Sequence, residues 1–252
     1  MGLNRLSPPF LKSVSLRSDE VEWDRFPFNI FNFLNKTKFQ LNFTTPVTFF
    51  IGENGTGKST VLEALASLCG FHMGGGSSEH QLHVTADQSV SNLAGSLRPS
   101  WLPKVSKGFF FRSDTFADVA RYIDDEGNPD VHDNRRLHDR SHGESLFAVF
   151  NDRFVTSDRC MYLLDEPENA LSPARQMSFL RFLKIWEASG NAQIIIATHS
   201  PIIMSYPGAT VLKFDREEIV PVQYTDTEHY KITKAFLANP EKFHSQLFDD
   251  IE

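Results

Sequence analysis

The spacing of apolar residues along the chain separates two kinds of predicted strand. Residues 10–17 and 38–43 alternate apolar and polar positions, which is typical of strands with one covered face. We expect these segments to form a small antiparallel sheet, with residues 10–17 as an edge strand. Continuous apolar runs instead predict strands covered on both faces, as in a parallel sheet. These runs span 47–51, 109–111, 160–164 and 194–197.

Helical periodicity and capping residues lie between these runs. The predicted helices cover 61–69, 115–123, a segment from Glu144, 173–189 after the cap Ser172, and a C-terminal segment that opens with the capping pattern Thr225–Glu228 and ends at Asn239. Residues 210–214 and 219–222 predict a hairpin, and residues 73–107 predict a loop. Strands that alternate with helices indicate an α/β fold with a mostly parallel, doubly wound sheet.

Composition sets the size and setting of this fold. The 252 residues, 40% of them hydrophobic, fit a single domain over 1–252, with a short helical lobe at about 71–155. The net charge of −7 argues against a global attraction to nucleic acid or anionic lipid. Two cysteines without ligand spacing, no signal peptide and no apolar run of about 20 residues predict a cytoplasmic protein without a membrane segment.

The clearest chemical signal lies between the first buried run and the first long helix. It has the spacing G-x-x-x-x-G-K-S, and strand, glycine loop and helix in that order are the context of a phosphate-binding P-loop. Glycines let backbone N–H groups surround a phosphate, a lysine reaches the β- and γ-phosphates, and a serine can hold Mg²⁺. The predicted nucleotide-binding residues are Gly52, Asn54, Gly55, Thr56, Gly57, Lys58, Ser59 and Thr60.

Acidic and imidazole side chains follow the next two buried runs. Asp165 and Glu166 close the run at 160–164, which is the position of a Walker B pair in a P-loop protein. We expect Asp165 to position Mg²⁺ and Glu166 to act as the general base that polarises the attacking water. His199 closes the run at 194–197 and is predicted to face the γ-phosphate.

A second anion site is predicted where Ser141 and Gly143 precede an apolar helix. Their backbone would present N–H groups at a helix N-terminus, as the P-loop does, with Glu144 beside them. One active site needs only one P-loop. This second site therefore predicts a head-to-tail dimer in which each copy completes the nucleotide site of the other.

Taken together, these motifs resemble those of the ATP-binding-cassette (ABC) ATPases, within the soluble branch that includes chromosome-maintenance and DNA-repair ATPases. The chain resembles most closely small stand-alone, AAA_21-like bacterial ATPases. The segments that carry this resemblance are Phe26–Asn29, Gly52–Thr60, Ser141–Ser145, Asp165–Pro173, Ala197–Pro201 and Thr227–Tyr230. The resemblance implies ATP and Mg²⁺ as cofactors, ATP hydrolysis, and an ABC-type sheet with a small antiparallel β-subdomain.

Some residues depart from the ABC pattern. Arg140 and His142 replace a leucine and a glycine of the usual signature, and Ser172 stands at the D-loop aspartate position. No glutamine follows the run at 109–111, where a Q-loop would lie. Asp114 is the candidate for its role beside the metal.

The resemblance suggests a switch whose ATP-driven dimer controls a partner protein in phage defence or DNA repair. A transporter's nucleotide-binding subunit and a non-hydrolysing ATP-gated scaffold are the alternatives. An aromatic ring is expected to stack on adenine. Phe26, Phe28 and Phe33 are the candidates, with Phe28 taken as the representative.

Overall fold

The computed structural model describes residues 6–17, 19, 21–35, 39–72, 75–76, 88–125, 142–153 and 157–249. Within these ranges the chain forms one six-stranded and one three-stranded sheet, with helices between the strands. The mixed α/β class predicted from the alternation of strands and helices is therefore confirmed. The division of the chain into one domain with a lobe at about 71–155 stays a prediction.

The larger sheet carries every buried run that the sequence indicated. Its strands are β3 (Val47–Ile51), β5 (Gly108–Arg112), β6 (Cys160–Asp165), β7 (Ala192–Ala197), β8 (Thr210–Phe214) and β9 (Ile219–Val222). Their order is β5-β6-β7-β3-β8-β9; the first five are parallel, and β9 pairs antiparallel with β8 as the predicted hairpin. The carboxyl ends of β3, β6 and β7 therefore meet at one edge, where ligands bind in open α/β sheets.

The smaller sheet is antiparallel and has the order β2-β1-β4, from β1 (Leu11–Leu16), β2 (Gln40–Asn42) and β4 (Leu97–Trp101). Two details of the sequence prediction were wrong. The strand β1 is central rather than an edge strand, and β4 lies in a segment predicted as a loop. Because Pro99 and flanking polar residues interrupt the alternation typical of a strand, the sequence does not predict β4. Its strand conformation follows from pairing with the distant β1.

Eight helices occur in the described ranges. They are α1 (Asn32–Asn35), α2 (Lys58–Cys69), α3 (Gln88–Ser96), α4 (Phe116–Asp125), α5 (His142–Arg153), α6 (Pro173–Ser189), α7 (Glu228–Ala238) and α8 (Pro240–Phe248). Ser172 caps α6 as predicted. The cap of α7 is Thr227 rather than Thr225, because the Thr227 hydroxyl accepts from the Tyr230 backbone N–H. No sequence pattern had indicated α8.

Both faces of the large sheet are covered by apolar side chains. One core packs α4, α5 and α6, which carries Trp186, against Tyr162 and its neighbours in the sheet. The other packs α2 and the small sheet against Phe50 and Phe110. Continuous burial on both faces explains why the strands read as unbroken apolar runs. In the ranges that the structure describes, no helix has both the length and the apolar character needed to cross a bilayer.

Candidate functional site

The glycine loop between β3 and α2 adopts a conformation that glycine alone accepts easily. Gly57 has a φ of 96°, and a Cβ there would lie 3.1 Å from the Phe31 ring. Gly52 has a φ of 139°, and a Cβ there would collide with the Phe214 carbonyl oxygen. Only a residue without Cβ tolerates both the backbone angle and the close approach. Gly52 and Gly57, both predicted for phosphate binding, are therefore also required by local packing.

Lys58, the first residue of α2, folds back over its own loop. Its Nζ donates to the carbonyl oxygens of Gly52 at 2.7 Å and Glu53 at 2.9 Å. Burial lowers the Lys58 pKa, while Glu166, Asp165 and other nearby carboxylates oppose that shift. The ammonium group thus lies among the loop's carbonyl groups, at the end of the loop where a bound phosphate would compete for it.

Ser59 and Asp165 meet across the site. The Ser59 hydroxyl donates to Asp165 Oδ1 at 3.1 Å, although 106 residues separate them. Burial raises the pKa of Asp165 to about 7, and the Ser59 hydrogen bond opposes the shift. A buried carboxylate that is costly to ionise, beside a hydroxyl oxygen, is a donor set that a hard divalent cation suits. These two residues would fit Mg²⁺, and their role as its ligands stays a prediction.

Glu166 occupies a strained position directly after β6. Its φ of 49° is the one positive value among the described non-glycine residues. Left-handed backbone costs such a residue about 1–2 kcal/mol. Its backbone N–H donates to the Ala197 carbonyl oxygen, and its carboxylate accepts from Asn169 Nδ2 at 2.9 Å. These contacts offset the cost of the backbone angle and hold the predicted general base at the edge where β6 and β7 end.

His199 lies beside that base. Its Nε2 is 3.7 Å from Glu166 Oε1, and its Nδ1 is 3.1 Å from Nε2 of His229. Burial and the charge of Lys58 lower the His199 pKa, so the neutral ring is favoured near pH 7. The structure therefore brings Lys58, Ser59, Asp165, Glu166 and His199 to one site.

Two residues in this arrangement escaped the sequence reasoning. Half-buried Glu168 accepts from the Thr198 hydroxyl at 2.8 Å and from the His199 backbone N–H, and so joins the turn after β6 to the loop after β7. His229 comes from α7. Its segment Thr227–Tyr230 carried part of the family resemblance, but no pattern in the sequence pointed to a contact with His199.

Asp114, which follows β5, forms an ion pair with Arg112. Both its carboxylate oxygens accept hydrogen bonds from Arg112, whose guanidinium also contacts Glu63 at 2.8 Å. The Asp114 side chain is 62% exposed. A role for Asp114 beside the metal would therefore require breaking this ion pair.

Of the predicted second anion site, Ser141 lies outside the described residues. Gly143 and Glu144 form the first turn of α5, and Glu144 is 3.6 Å from Arg175 at the start of α6. A Cβ on Gly143 would collide with the Arg175 guanidinium and lie 2.8 Å from the Ala170 carbonyl oxygen. The glycine thus allows α5 to begin against the segment at the D-loop position.

The phenylalanine candidates for adenine differ sharply in exposure. Phe28 is 1% exposed and packs edge-to-face on Trp23, so its ring is not available to a base as the prediction required. Phe33 is also buried. Phe26 is 40% exposed and touches Phe31, the ring that covers Gly57. Phe26 is therefore the one of the three that combines exposure with nearness to the P-loop.

Comparisons with known protein families match the two segments that build this site. A family described as "AAA domain" matches residues 28–141, which contain the P-loop. A family described as "AAA domain, putative AbiEii toxin, Type IV TA system" matches residues 157–205, which contain Asp165, Glu166 and His199. No curated protein matches the chain.

Solved structures align with the chain at low sequence identity. An SMC head bound to the C-winged helix domain of ScpA aligns with a TM-score of 0.50 and 12% identity, over 85% of this chain and 98% of that one. CbiO1 of a Clostridium perfringens ABC transporter complex aligns with a TM-score of 0.47 and 18% identity, over 94% of this chain and 99% of that one. The SMC head domain from Thermotoga maritima aligns with a TM-score of 0.43 and 18% identity, over 85% of this chain and 99% of that one.

The family matches and the fold confirm the resemblance predicted from the sequence. The chain has the fold of ABC-type P-loop ATPases, and AAA-domain family models match the two segments that build its site.

Proposed function

We propose that this protein binds Mg-ATP and hydrolyses it. The observation that carries the proposal is the convergence of Lys58, the Ser59–Asp165 pair and the Glu166–His199 pair at one sheet edge. The arrangement contains a phosphate cradle, a cation site and a carboxylate base. These are the parts that ATP hydrolysis requires.

Each residue has a distinct task in this mechanism. The loop N–H groups and Lys58 hold and neutralise the phosphates, while Ser59 and Asp165 would hold Mg²⁺, which withdraws charge from the phosphate oxygens. Glu166 accepts a proton from the attacking water. A proton on His199 Nε2 could then be shared with the γ-phosphate as negative charge develops there. As the water oxygen bonds to the γ-phosphorus, the bond from that phosphorus to the bridging oxygen breaks and the bridging oxygen stays with ADP. The released phosphate takes the proton back from Glu166.

We further propose that two copies close head to tail over two nucleotides. The start of α5 at Gly143 and Glu144 supports this, because a helix N-terminus favours an anion. The adenine would stack on Phe26. A protein effector would respond to the dimer. The SMC head neighbour has a bound winged-helix domain, and the toxin named in one family description supports a defence setting.

The test uses two variants with matched controls. Lys58→Ala should abolish ATP binding in calorimetry, whereas exposed Lys242→Ala should bind like the wild type. Glu166→Gln should bind ATP, lose hydrolysis and accumulate as a dimer in light scattering, whereas exposed Glu241→Gln should turn over normally. A wild-type protein that binds Mg-ATP without releasing phosphate would favour the scaffold alternative. A Glu166→Gln variant that stays monomeric at saturating Mg-ATP would refute the dimer.

A further inference from the structure

The histidine pair at the sheet edge is built from two distant elements. His199 follows β7, and His229 lies in the first turn of α7, 30 residues later; their ring centroids are 5.3 Å apart. Thr227 fixes that first turn, because its buried hydroxyl accepts from Tyr230 N–H and donates to the Tyr224 carbonyl oxygen at 2.8 Å. The position of His229 is therefore set by helix capping rather than by chance contact.

The 3.1 Å distance between the rings demands a definite proton arrangement. Of two neutral imidazole nitrogens in a hydrogen bond, one must carry the proton and the other must accept it. The remaining nitrogen of His199, Nε2, is buried and faces the Glu166 carboxylate at 3.7 Å. A carboxylate oxygen is an acceptor only, so the ring nitrogen opposite it is favoured as N–H.

At 3.7 Å this preference is weak by itself, but it agrees with only one direction of the bond between the rings. When the proton of neutral His199 is on Nε2, its Nδ1 is an acceptor, and His229 Nε2 must donate. The reverse assignment would place the Nε2 lone pair of His199 against a carboxylate. Burial lowers the pKa of both histidines, and Lys58 adds to the effect, so neither ring is favoured as a cation near pH 7.

Charged groups around His229 balance one another. Glu53 and Glu228 favour a proton on the His229 ring, whereas Lys58 and Lys213 disfavour it. Neutral His229 therefore retains one proton, which the bond to His199 places on Nε2.

We infer that His229 is a positioning residue: its Nε2–H holds His199 in the tautomer that presents an N–H to the space beside Glu166. The inference rests on the proposed hydrolysis, because that N–H is the group offered to the γ-phosphate. It also makes α7 part of the nucleotide site, so a displacement of α7 would release the His199 tautomer.

The first test reads the tautomer directly in the nucleotide-free protein. Two-bond ¹⁵N–¹H NMR correlations distinguish Nδ1–H from Nε2–H imidazoles, and a His199→Gln spectrum assigns the signal. We expect pure Nε2–H at His199 in the wild type and in His229→Gln, whose side-chain amide restores a donor. In His229→Phe, which keeps a ring but no donor, we expect a mixture. Exposed His244→Phe on α8 is the matched control and should leave His199 unchanged.

The second test reads turnover. His229→Phe should lower kcat about tenfold, the scale of losing an orienting hydrogen bond to a functional imidazole, with the Kd for ATP unchanged. His229→Gln should recover most of the rate, and His244→Phe should keep all of it. An undiminished kcat in His229→Phe would mean that only ring packing matters, and failure of folded His229→Gln to recover the rate would mean that the lost donor is not the cause. Either result would overturn the inference.

The two tests distinguish a failure of the role of His229 from a failure of the proposed ATP hydrolysis. A wild type without ATPase activity would refute the proposed hydrolysis, while the NMR spectrum would still decide the tautomer. An Nδ1–H signal at His199 in the wild type, or a pure Nε2–H signal in His229→Phe, would overturn the role of His229 even in an active ATPase.

Discussion

Glu168 offers a quantitative test of how the turn after β6 is tied to the loop after β7. Its half-buried carboxylate accepts from the Thr198 hydroxyl at 2.8 Å and from the His199 backbone N–H. Thr198 is fully buried. Replacing Glu168 with alanine leaves both donors without their acceptor in a place where little water can reach them.

The size of the effect follows from the two lost bonds. Each buried donor left unsatisfied costs about 1–3 kcal/mol. Burial raises the Glu168 pKa, so the wild-type carboxylate carries a desolvation cost whose removal offsets part of the loss. We therefore expect Glu168→Ala to lower the free energy of unfolding by about 2–4 kcal/mol. Glu168→Gln should cost about 1 kcal/mol, since its amide oxygen still accepts from His199 N–H.

A double-mutant cycle isolates the bond to Thr198. Thr198→Val removes the hydroxyl but also the acceptor for Ser200 N–H, and the cycle subtracts that second effect. We expect a coupling energy of about 1–2 kcal/mol between Glu168→Ala and Thr198→Val. Urea unfolding followed by fluorescence of buried Trp186 gives the four stabilities.

Two results would refute this account of Glu168. One is a coupling energy below about 0.3 kcal/mol, the level of independent sites. The other is a Glu168→Ala loss no larger than that of the exposed control Glu241→Ala, which should stay within about 0.5 kcal/mol.

Three further predictions test the glycine loop, the adenine contact and the second anion site. Gly57→Ala should abolish ATP binding and lower stability by about 2–3 kcal/mol, because it adds a clash to an unfavourable φ. Gly208→Ala, with a φ of 81° and open space, should cost only about 1 kcal/mol in urea unfolding. Phe26→Ala should weaken ATP binding about fivefold in calorimetry without loss of stability, whereas Phe28→Ala should lower the free energy of unfolding by about 3–5 kcal/mol. Equal ATP affinities of Phe26→Ala and the wild type would exclude Phe26 as the adenine contact. Ser141→Arg should block turnover but not ATP binding to the monomer, and full activity would exclude a role for Ser141 in the partner's site.

Local signals were sufficient for the framework of the site. The P-loop spacing, the unbroken apolar run before Asp165 and the Ser172 cap depend on backbone angle, burial and hydrogen bonds within a few residues. Such features recur wherever the same short sequence occurs, so they can be predicted from a single chain. The parallel order of the strands also ensured that Asp165 and His199 would share an edge.

Contacts between distant residues required the tertiary structure. The β4 strand is held by β1 rather than by its own propensity, and Phe28 and Phe26 differ only in what packs over them. Likewise, nothing in the spacing between β7 and α7 places His229 at 3.1 Å from His199.

The sequence by itself determined that a P-loop follows β3 and which carboxylates follow β6, because glycine angles and apolar runs are local properties. Only the tertiary structure decided which side chains orient those groups. Glu168 and His229 reach His199 through loop and helix packing, and a hydrogen bond between separate elements depends on where the whole chain places their atoms.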